Sequence, residues 1–412
     1  MYQMPRCTTI FFSMILNVSL SVLVSGHHVD VVRNLTKLLF ETNVYDKTLR
    51  PSMDHSSATQ LSVSFHLMSI NRLDEVEKRL VSTAYLVVEW RDEFLTWNTS
   101  QYPVYRLSLP QTMIWKPDLV LKNGFTEFKE LGGSFYYVLV KDDGVVKWKP
   151  YQVFESQCSI DVTYFPFDTQ TCNIVFTLWS HTEYQVTVDT FDIVIDRDEY
   201  QSNSVWEIVS TSQKRDSSTK NVVLTYSLRL KRKPSHFVQN IVLPILFLGI
   251  LNILVFVIPA DAGEKMSYSI TVALGFMVFL TIISSELPAN SDTTPYISSY
   301  LQIQIIMGGV ALVVSSLQLR LRHRNEVQKV NGIFELISKI SLCKIPTHKN
   351  AIAHTDVSLG GEKEQNLTQN EEEENVSWND VSSAIDFLMF VIYSLVYLIS
   401  TIGVMAILER GI

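Results

Sequence analysis

The chain has 412 residues, of which 47% are hydrophobic and 18% charged, against roughly 25% charged in an average soluble domain. A formal net charge of -8 excludes a global basic field for nucleic acid, and the composition excludes a coiled coil, a collagen and a disordered protein. Four cysteines are too few for a disulfide-dense scaffold or a zinc ribbon. No nucleophile motif, phosphate loop or metal cluster appears, so neither an enzyme nor a cofactor is expected.

The first element is an apolar run from Ile10 to Val24, preceded by Arg6 and followed by the small residues Ser25 and Gly26. It reads as a signal peptide over residues 1–26, because the run is short for a hydrocarbon core of roughly 30 Å. The chain then starts outside the cytosol, with His27 and His28 as a mobile terminus. From 27 to 235 the pattern is that of strands. Leu61, Val63, Phe65 and Leu67 alternate with polar residues, as do Leu224, Tyr226, Leu228 and Leu230. Further strands are expected over Tyr85 to Trp90, Phe135 to Val140 and Asn173 to Trp179, separated by turns such as Asp142-Asp143-Gly144. Two hundred or so such residues predict an extracellular all-β, immunoglobulin-like sandwich. Cys158 and Cys172 flank thirteen residues in an oxidising compartment, so a disulfide is expected. Closing that loop constrains the unfolded chain by roughly 3 kcal/mol in the entropic picture.

Four apolar runs follow: Ile241 to Ile258, Met266 to Ile283, Ile303 to Leu317 and Phe387 to Leu408. They predict an all-α four-helix transmembrane domain, with three helices over 236–319, a cytosolic linker over 320–384 and the fourth helix over 385–412. Arg320, Arg322, Arg324 and Lys329 follow the third run, whereas Glu286 to Pro295 has no Lys or Arg. The positive-inside rule then puts both termini outside. Within the linker, Val327 to Ile340 reads as an amphipathic helix and the tract around Glu371 to Glu374 as poorly ordered. Asn34 and Asn98 head glycosylation sequons on the outer side. Asn366 and Asn375 head sequons that should stay bare, since they face the cytosol.

The cysteine spacing, Phe165-Pro166-Phe167-Asp168 inside it and four later spans together resemble the Cys-loop receptors, the pentameric ligand-gated ion channels. Trp115-Lys116-Pro117-Asp118, Trp97-Asn98 and Gly263-Glu264-Lys265-Met266 are similar to the nicotinic acetylcholine receptor branch. The resemblance implies a pentamer with four further subunits of the same or related type, set among membrane lipids. It implies a multi-pass plasma-membrane location, postsynaptic in the family's usual setting, an extracellular small-molecule agonist and permeating monovalent cations.

In the second run, Ser267, Thr271, Leu274, Val278, Thr281 and Ser285 recur at three- and four-residue steps and share one helix face. In a five-fold bundle the hydroxyls form polar rings, while Leu274 and Val278 form a constriction that stops current by dewetting. The alternative is hydroxyls that only bond back to their own helix. Glu264 begins this helix at the cytosolic mouth, where five carboxylates would concentrate cations, with Lys265 turned from the axis as the family pattern implies. Ser285 stands where many nicotinic subunits carry an acid.

For the ligand site the resemblance points to Trp179 as the central aromatic and to Tyr85 on the facing side. Aromatic faces attract a quaternary ammonium by about 2 kcal/mol or more when desolvated. Either ring could instead be sandwich core. Lys122 replaces an agonist-binding Tyr, the adjacent cysteine pair is absent from Ser210 to Lys220, and the second loop aromatic is absent near Asn221. Lys147 and Lys149 flank Trp148 on a strand expected to face the same cleft. The three lysines either repel a cationic agonist or are solvated surface charge. Candidates for coupling binding to opening are Glu75 and Val76, Phe165, Pro166 and Phe167, Arg232, and Pro295 after the pore helix. A Glu75 to Arg232 pair is the specific expectation.

Overall fold

A computed structural model describes residues 28–126, 129–133, 135–190, 195–216, 221–259, 264–288, 294–322 and 378–411. The signal peptide, the Val327 to Ile340 helix, the Glu371 to Glu374 tract and the sequons at Asn366 and Asn375 lie outside the described residues. The chain divides into two compact units: residues 1–160 with 169–233, and residues 161–168 with 234–412.

The first unit opens with helix α1, His28–Lys37, continued by a π-turn over Leu38–Thr42. His28 therefore starts a helix, correcting the expected mobile terminus. Leu35 and Leu39, one turn apart, are completely buried and anchor it. Eleven strands follow among the described residues. The long strands β1, Thr59–Asp74, and β2, Arg79–Arg91, pair antiparallel from Leu61 opposite Trp90 to Asp74 opposite Arg79. They belong to a seven-stranded sheet with β3 (Arg106–Pro110), β5 (Tyr137–Lys141), β6 (Val145–Trp148), β7 (Tyr151–Gln157) and β9 (Val186–Thr190). The second sheet has four strands in the order β10-β11-β8-β4: Trp206–Asp216, Val223–Arg232, Thr169–Leu178 and Leu119–Leu121.

The interior is aromatic, which follows from the alternation: every second residue of a strand faces one side. Phe65 of β1 stacks on Tyr226 of β11 with centroids 5.0 Å apart, and Phe154 of β7 meets Phe176 of β8 edge-on at 5.3 Å. All four rings are fully buried, so one cluster ties strands of both sheets together. The turn before β6 needs its glycine: Gly144 has φ +84°, and a Cβ there would sit 2.4 Å from the Asp92 carbonyl oxygen. The disulfide Cys158–Cys172 is formed.

Among its described residues the second unit holds four helices long and apolar enough to cross a membrane: α2 (Ser235–Leu254), α3 (Glu264–Glu286), α4 (Tyr296–Arg322) and α5 (Trp378–Leu408). Each is longer than its apolar run, and α5 begins at Trp378 rather than 385. The extra turns carry polar residues such as Asn379 and Asp380, which hydropathy alone assigns to the linker. Pro244 lies inside α2, directly after the π-turn Val238–Val242 and at the beginning of the regular α-helical part. Ile253, Phe256, Met307, Ala311 and Tyr393 form the bundle core. Two tyrosines of α5 spend their hydroxyls on neighbouring helices: Tyr393 donates to the Met307 carbonyl at 2.7 Å and Tyr397 to the Leu246 carbonyl at 3.0 Å.

Candidate functional site

The outer unit presents two groups of ligand-site candidates. Trp179 follows the end of β8, where its N–H donates to the Asp118 carbonyl at 3.3 Å and its ring is 59% exposed. It is available to a ligand and is not core. Beneath it, Asp118 binds His181 at 2.8 Å and the Ser180 N–H. Burial works against ionisation of Asp118, but the bonds from His181 and Ser180 outweigh it and hold the carboxyl below its ordinary range. Lys122 is exposed at the far end of β4, its N–H tied to the Val175 carbonyl at 2.6 Å. Asn221 donates from Nδ2 to the Trp179 carbonyl at 3.4 Å.

The second group surrounds Tyr85 on β2, and its ring already has two partners. His66 of β1 stacks on Tyr85 with centroids 4.7 Å apart and 4° between the planes, while Lys149 Nζ stands 5.7 Å from the ring centroid. His66 in turn reaches Asp196 Oδ2 at 2.9 Å from Nδ1 and meets the Ser64 hydroxyl at 3.0 Å through Nε2. Burial lowers the imidazole below its ordinary value despite Asp196, with Lys149 adding to the effect. Asp198 and Glu199 complete a small recess of about 90 Å³ beside the ring. Burial, with Glu199, Asp196 and Asp198 behind it, raises the Tyr85 phenol.

Lys147 pairs with Glu89 across the β2–β6 ladder at 2.6 Å, and so carries no free charge toward a ligand. Trp148 requires a correction. The period of two that sets Lys147 and Lys149 on one face sends Trp148 to the other. There it is 1% exposed, and its Nε1–H donates to Gln111 Oε1 at 2.7 Å. It is interior packing and faces no cleft.

In the helical unit, α3 divides into two faces. Lys265, Ser269, Val272, Phe276 and Ile283 are buried, whereas Glu264, Ser267, Thr271, Leu274, Val278, Thr281 and Ser285 are all exposed. Three of the hydroxyls do bond back: Thr271 to the Ser267 carbonyl at 2.9 Å, Thr281 to Met277 at 3.0 Å and Ser285 to Ile282 at 2.7 Å. That consumes their only hydrogen and leaves acceptor lone pairs facing outward. The stripe thus offers partial negative charge. Lys265 is turned inward, as described below.

The coupling candidates fall in both units. Glu75 and Arg232 meet at 2.7 Å in the first unit, with Arg232 side chain 1% exposed and its guanidinium 4.3 Å from the centre of the Trp206 ring. Val76 beside them is 52% exposed. The loop 161–168 belongs to the helical unit. There Phe165 lies edge-on to Phe237 at 5.1 Å and Tyr164 packs on Tyr296 at 5.7 Å. The Tyr296 N–H donates to the Thr163 carbonyl at 3.2 Å. Pro166 is buried and Phe167 half-buried, closing the loop's turn through its N–H to the Tyr164 carbonyl at 2.7 Å. Pro295 caps α4, its carbonyl accepting from the N–H groups of Ser298 and Ser299. Asn34 and Asn98 are both exposed, and Asn98 Oδ1 accepts from the Ser100 N–H at 2.8 Å.

Comparison with known proteins decides the family. Residues 32–234 match the neurotransmitter-gated ion-channel ligand binding domain, and residues 241–351 the transmembrane region of the same channels. The chain is a Cys-loop receptor subunit. It is 31% identical over 287 residues to the neuronal acetylcholine receptor subunit alpha-6 of Rattus norvegicus, covering 68% of this chain but only 58% of that protein's length. It is 29% identical over 327 residues to subunit beta-3 of Homo sapiens, covering 78% of this chain and 71% of that subunit. With the acetylcholine receptor subunit delta of Xenopus laevis it shares 31% over 332 residues, 75% of this chain and 63% of the relative.

For this receptor subunit, sequence reasoning missed the partners of Tyr85. His66 was visible as a polar position of β1, but its register opposite Tyr85 emerges only from the β1–β2 pairing. Tyr164, Phe237 and Tyr296 were likewise missed, since nothing in their spacing links a disulfide loop to two helices. Asp386 lies just inside the expected fourth helix, but its partner Lys265 on another helix could not be read from the sequence.

Proposed function

We propose that the chain is a subunit of a cation-conducting pentameric channel in the plasma membrane, with both termini outside, opened by an extracellular small molecule other than acetylcholine. One observation carries the conducting part: the exposed face of α3 bears the hydroxyl stripe and Glu264, while Lys265 is buried. Five such faces around an axis give rings of oxygen acceptors above an acidic entrance, with Leu274 and Val278, 61% and 50% exposed, as the apolar gate. Glu75 with Arg232, and Phe165 with Phe237, carry the gating equilibrium by changing surroundings between states.

The agonist follows from charge. Lys149 Nζ already stands over the Tyr85 ring, His66 stacks on the same ring, and Lys122 stands where a ring would serve a quaternary ammonium. An arriving cation must displace that ammonium from the ring to gain the same attraction, even though Asp196, Asp198 and Glu199 stand beside it. A neutral or zwitterionic ligand whose anionic end meets Lys122 or Lys149 suits these groups. The occupied Tyr85 also disfavours a subunit that only supplies the facing side of a heteromer.

The test uses oocytes expressing the chain alone. Micromolar acetylcholine is expected to evoke no current. Replacing Leu274→Ser wets the gate and should produce current without agonist. On tenfold dilution of external sodium chloride that current should reverse at a more negative potential, and a positive shift, which marks chloride, overturns the proposal.

A further inference from the structure

Lys265 follows Glu264 directly, so an ammonium group is one residue away from the acid assigned to the inner entrance. Left free, it would cancel that acid. Its side chain is instead only 4% exposed. Three contacts account for the three ammonium hydrogens: the Asp386 carboxylate on α5, Gln318 Oε1 on α4 at 3.1 Å, and the face of Phe256, whose centroid is 5.7 Å from Nζ. Gln318 closes the triangle by donating from Nε2 to Asp386 Oδ1 at 2.9 Å, and donates also to the Ser382 carbonyl at 3.3 Å. The network is therefore complete, with the carboxylate supplying the only opposite charge in it.

A buried ammonium stays beside its counter-charge. Once the carboxylate is removed, the cost of burying an unpaired charge drives the flexible lysine stem toward water. The exposed beginning of α3, at Glu264, is one residue away. We propose that Asp386, on the last span, is a positioning residue for charge selection. It anchors Lys265 inside the helical unit, with Gln318 as a second clamp, so that the inner entrance carries acids alone. The inference rests on the reading of Glu264 as the entrance ring. It adds that the outermost span in the sequence sets ion preference through a residue that need not touch the ion.

The experiment reads full-length chain carrying Leu274→Ser in oocytes. First, the unaltered pair must pass cations; chloride current there sinks the conducting reading itself and not the role of Asp386. Given cation current, Asp386→Asn should move the reversal potential at least halfway toward zero and lower single-channel conductance severalfold. Lys265→Gln added to Asp386→Asn should restore both, because no ammonium is left to swing out. A mere structural brace would alter surface expression without altering reversal potential. An unchanged reversal potential in surface-expressed Asp386→Asn overturns the proposal, as does a double variant that stays shifted. Should Asp386→Asn fail to reach the surface alone, a tagged copy is co-expressed with the unaltered subunit. Stepwise smaller conductance classes are then expected, and a single unaltered class with the tag at the surface overturns the proposal. If the tag stays inside even then, the double variant decides: it must reach the surface with the unaltered reversal potential, and any other result overturns the proposal.

Discussion

Asp92 is fully enclosed, with the Tyr45 hydroxyl donating to Oδ2 at 2.7 Å and the Phe94 N–H to Oδ1 at 3.0 Å. Burial nevertheless raises its carboxyl above the ordinary range, and the same burial, with Asp92 beside it, pushes the Tyr45 phenol up. The sign of the consequence is fixed. An acid with a raised folded value favours the folded state most at low pH, and that contribution is lost as pH rises from the unfolded value through the folded one. Asn at this position keeps one accepting oxygen, puts an NH2 group in place of the other and cannot ionise, so its fixed hydrogen-bond cost is the same at every pH. The melting temperature of Asp92→Asn minus that of the unaltered receptor should therefore rise between pH 4 and pH 7 in detergent; a falling difference contradicts the assignment. Lys149 over Tyr85 and Lys147 on Glu89 show the same rule elsewhere in the sandwich: a charge is defined by what it already holds. Of the candidate site residues, those on one strand or helix face were legible because period alone places them. Trp148 was misplaced only where period was ignored in favour of proximity to two lysines.

At the scale of elements, the helical unit depends on close approach between α2 and α5. A Cβ on Gly249 would lie 2.3 Å from the Tyr397 ring, whose hydroxyl is simultaneously held by the Leu246 carbonyl. The ring cannot retreat without giving up that bond, so Gly249→Ala should destabilise the folded receptor by about 1–3 kcal/mol. Thermal unfolding of purified receptor measures it, and an unchanged midpoint would show that the ring has room. The strands and spans themselves were readable because alternation and unbroken apolar length are properties of contiguous residues. Helix α1 escaped because its heptad-length stripe abuts the apolar leader. The start of α5 escaped because Asn379 and Asp380 are polar and hydropathy alone stops short of them, while the tolerance of Asp386 within the helix is explained only by its long-range partner Lys265.

At the scale of the whole molecule, the two units divide the work. The outer one supplies an aromatic site at which His66 stacks on Tyr85 and Lys149 stands over the same ring, the arrangement behind the proposal of an agonist other than acetylcholine. The helical one supplies a stripe in which three of the four hydroxyl hydrogens are spent internally, so that their oxygens remain as acceptors, and keeps the Lys265 ammonium in the interior. Both features need five copies to become a channel, and neither can be read from composition. The face of α3 that meets water tests this most directly. Single cysteines placed at Ser267, Thr271, Leu274, Val278, Thr281 and Ser285 in surface-expressed receptor should react with a charged, membrane-impermeant thiol reagent, the innermost ones when it is supplied from the cytosolic side. Cysteines at Val272, Phe276 and Ile283 should stay unmodified. Labelling of the second set, or protection of the first by lipid, contradicts a water-filled path along this helix.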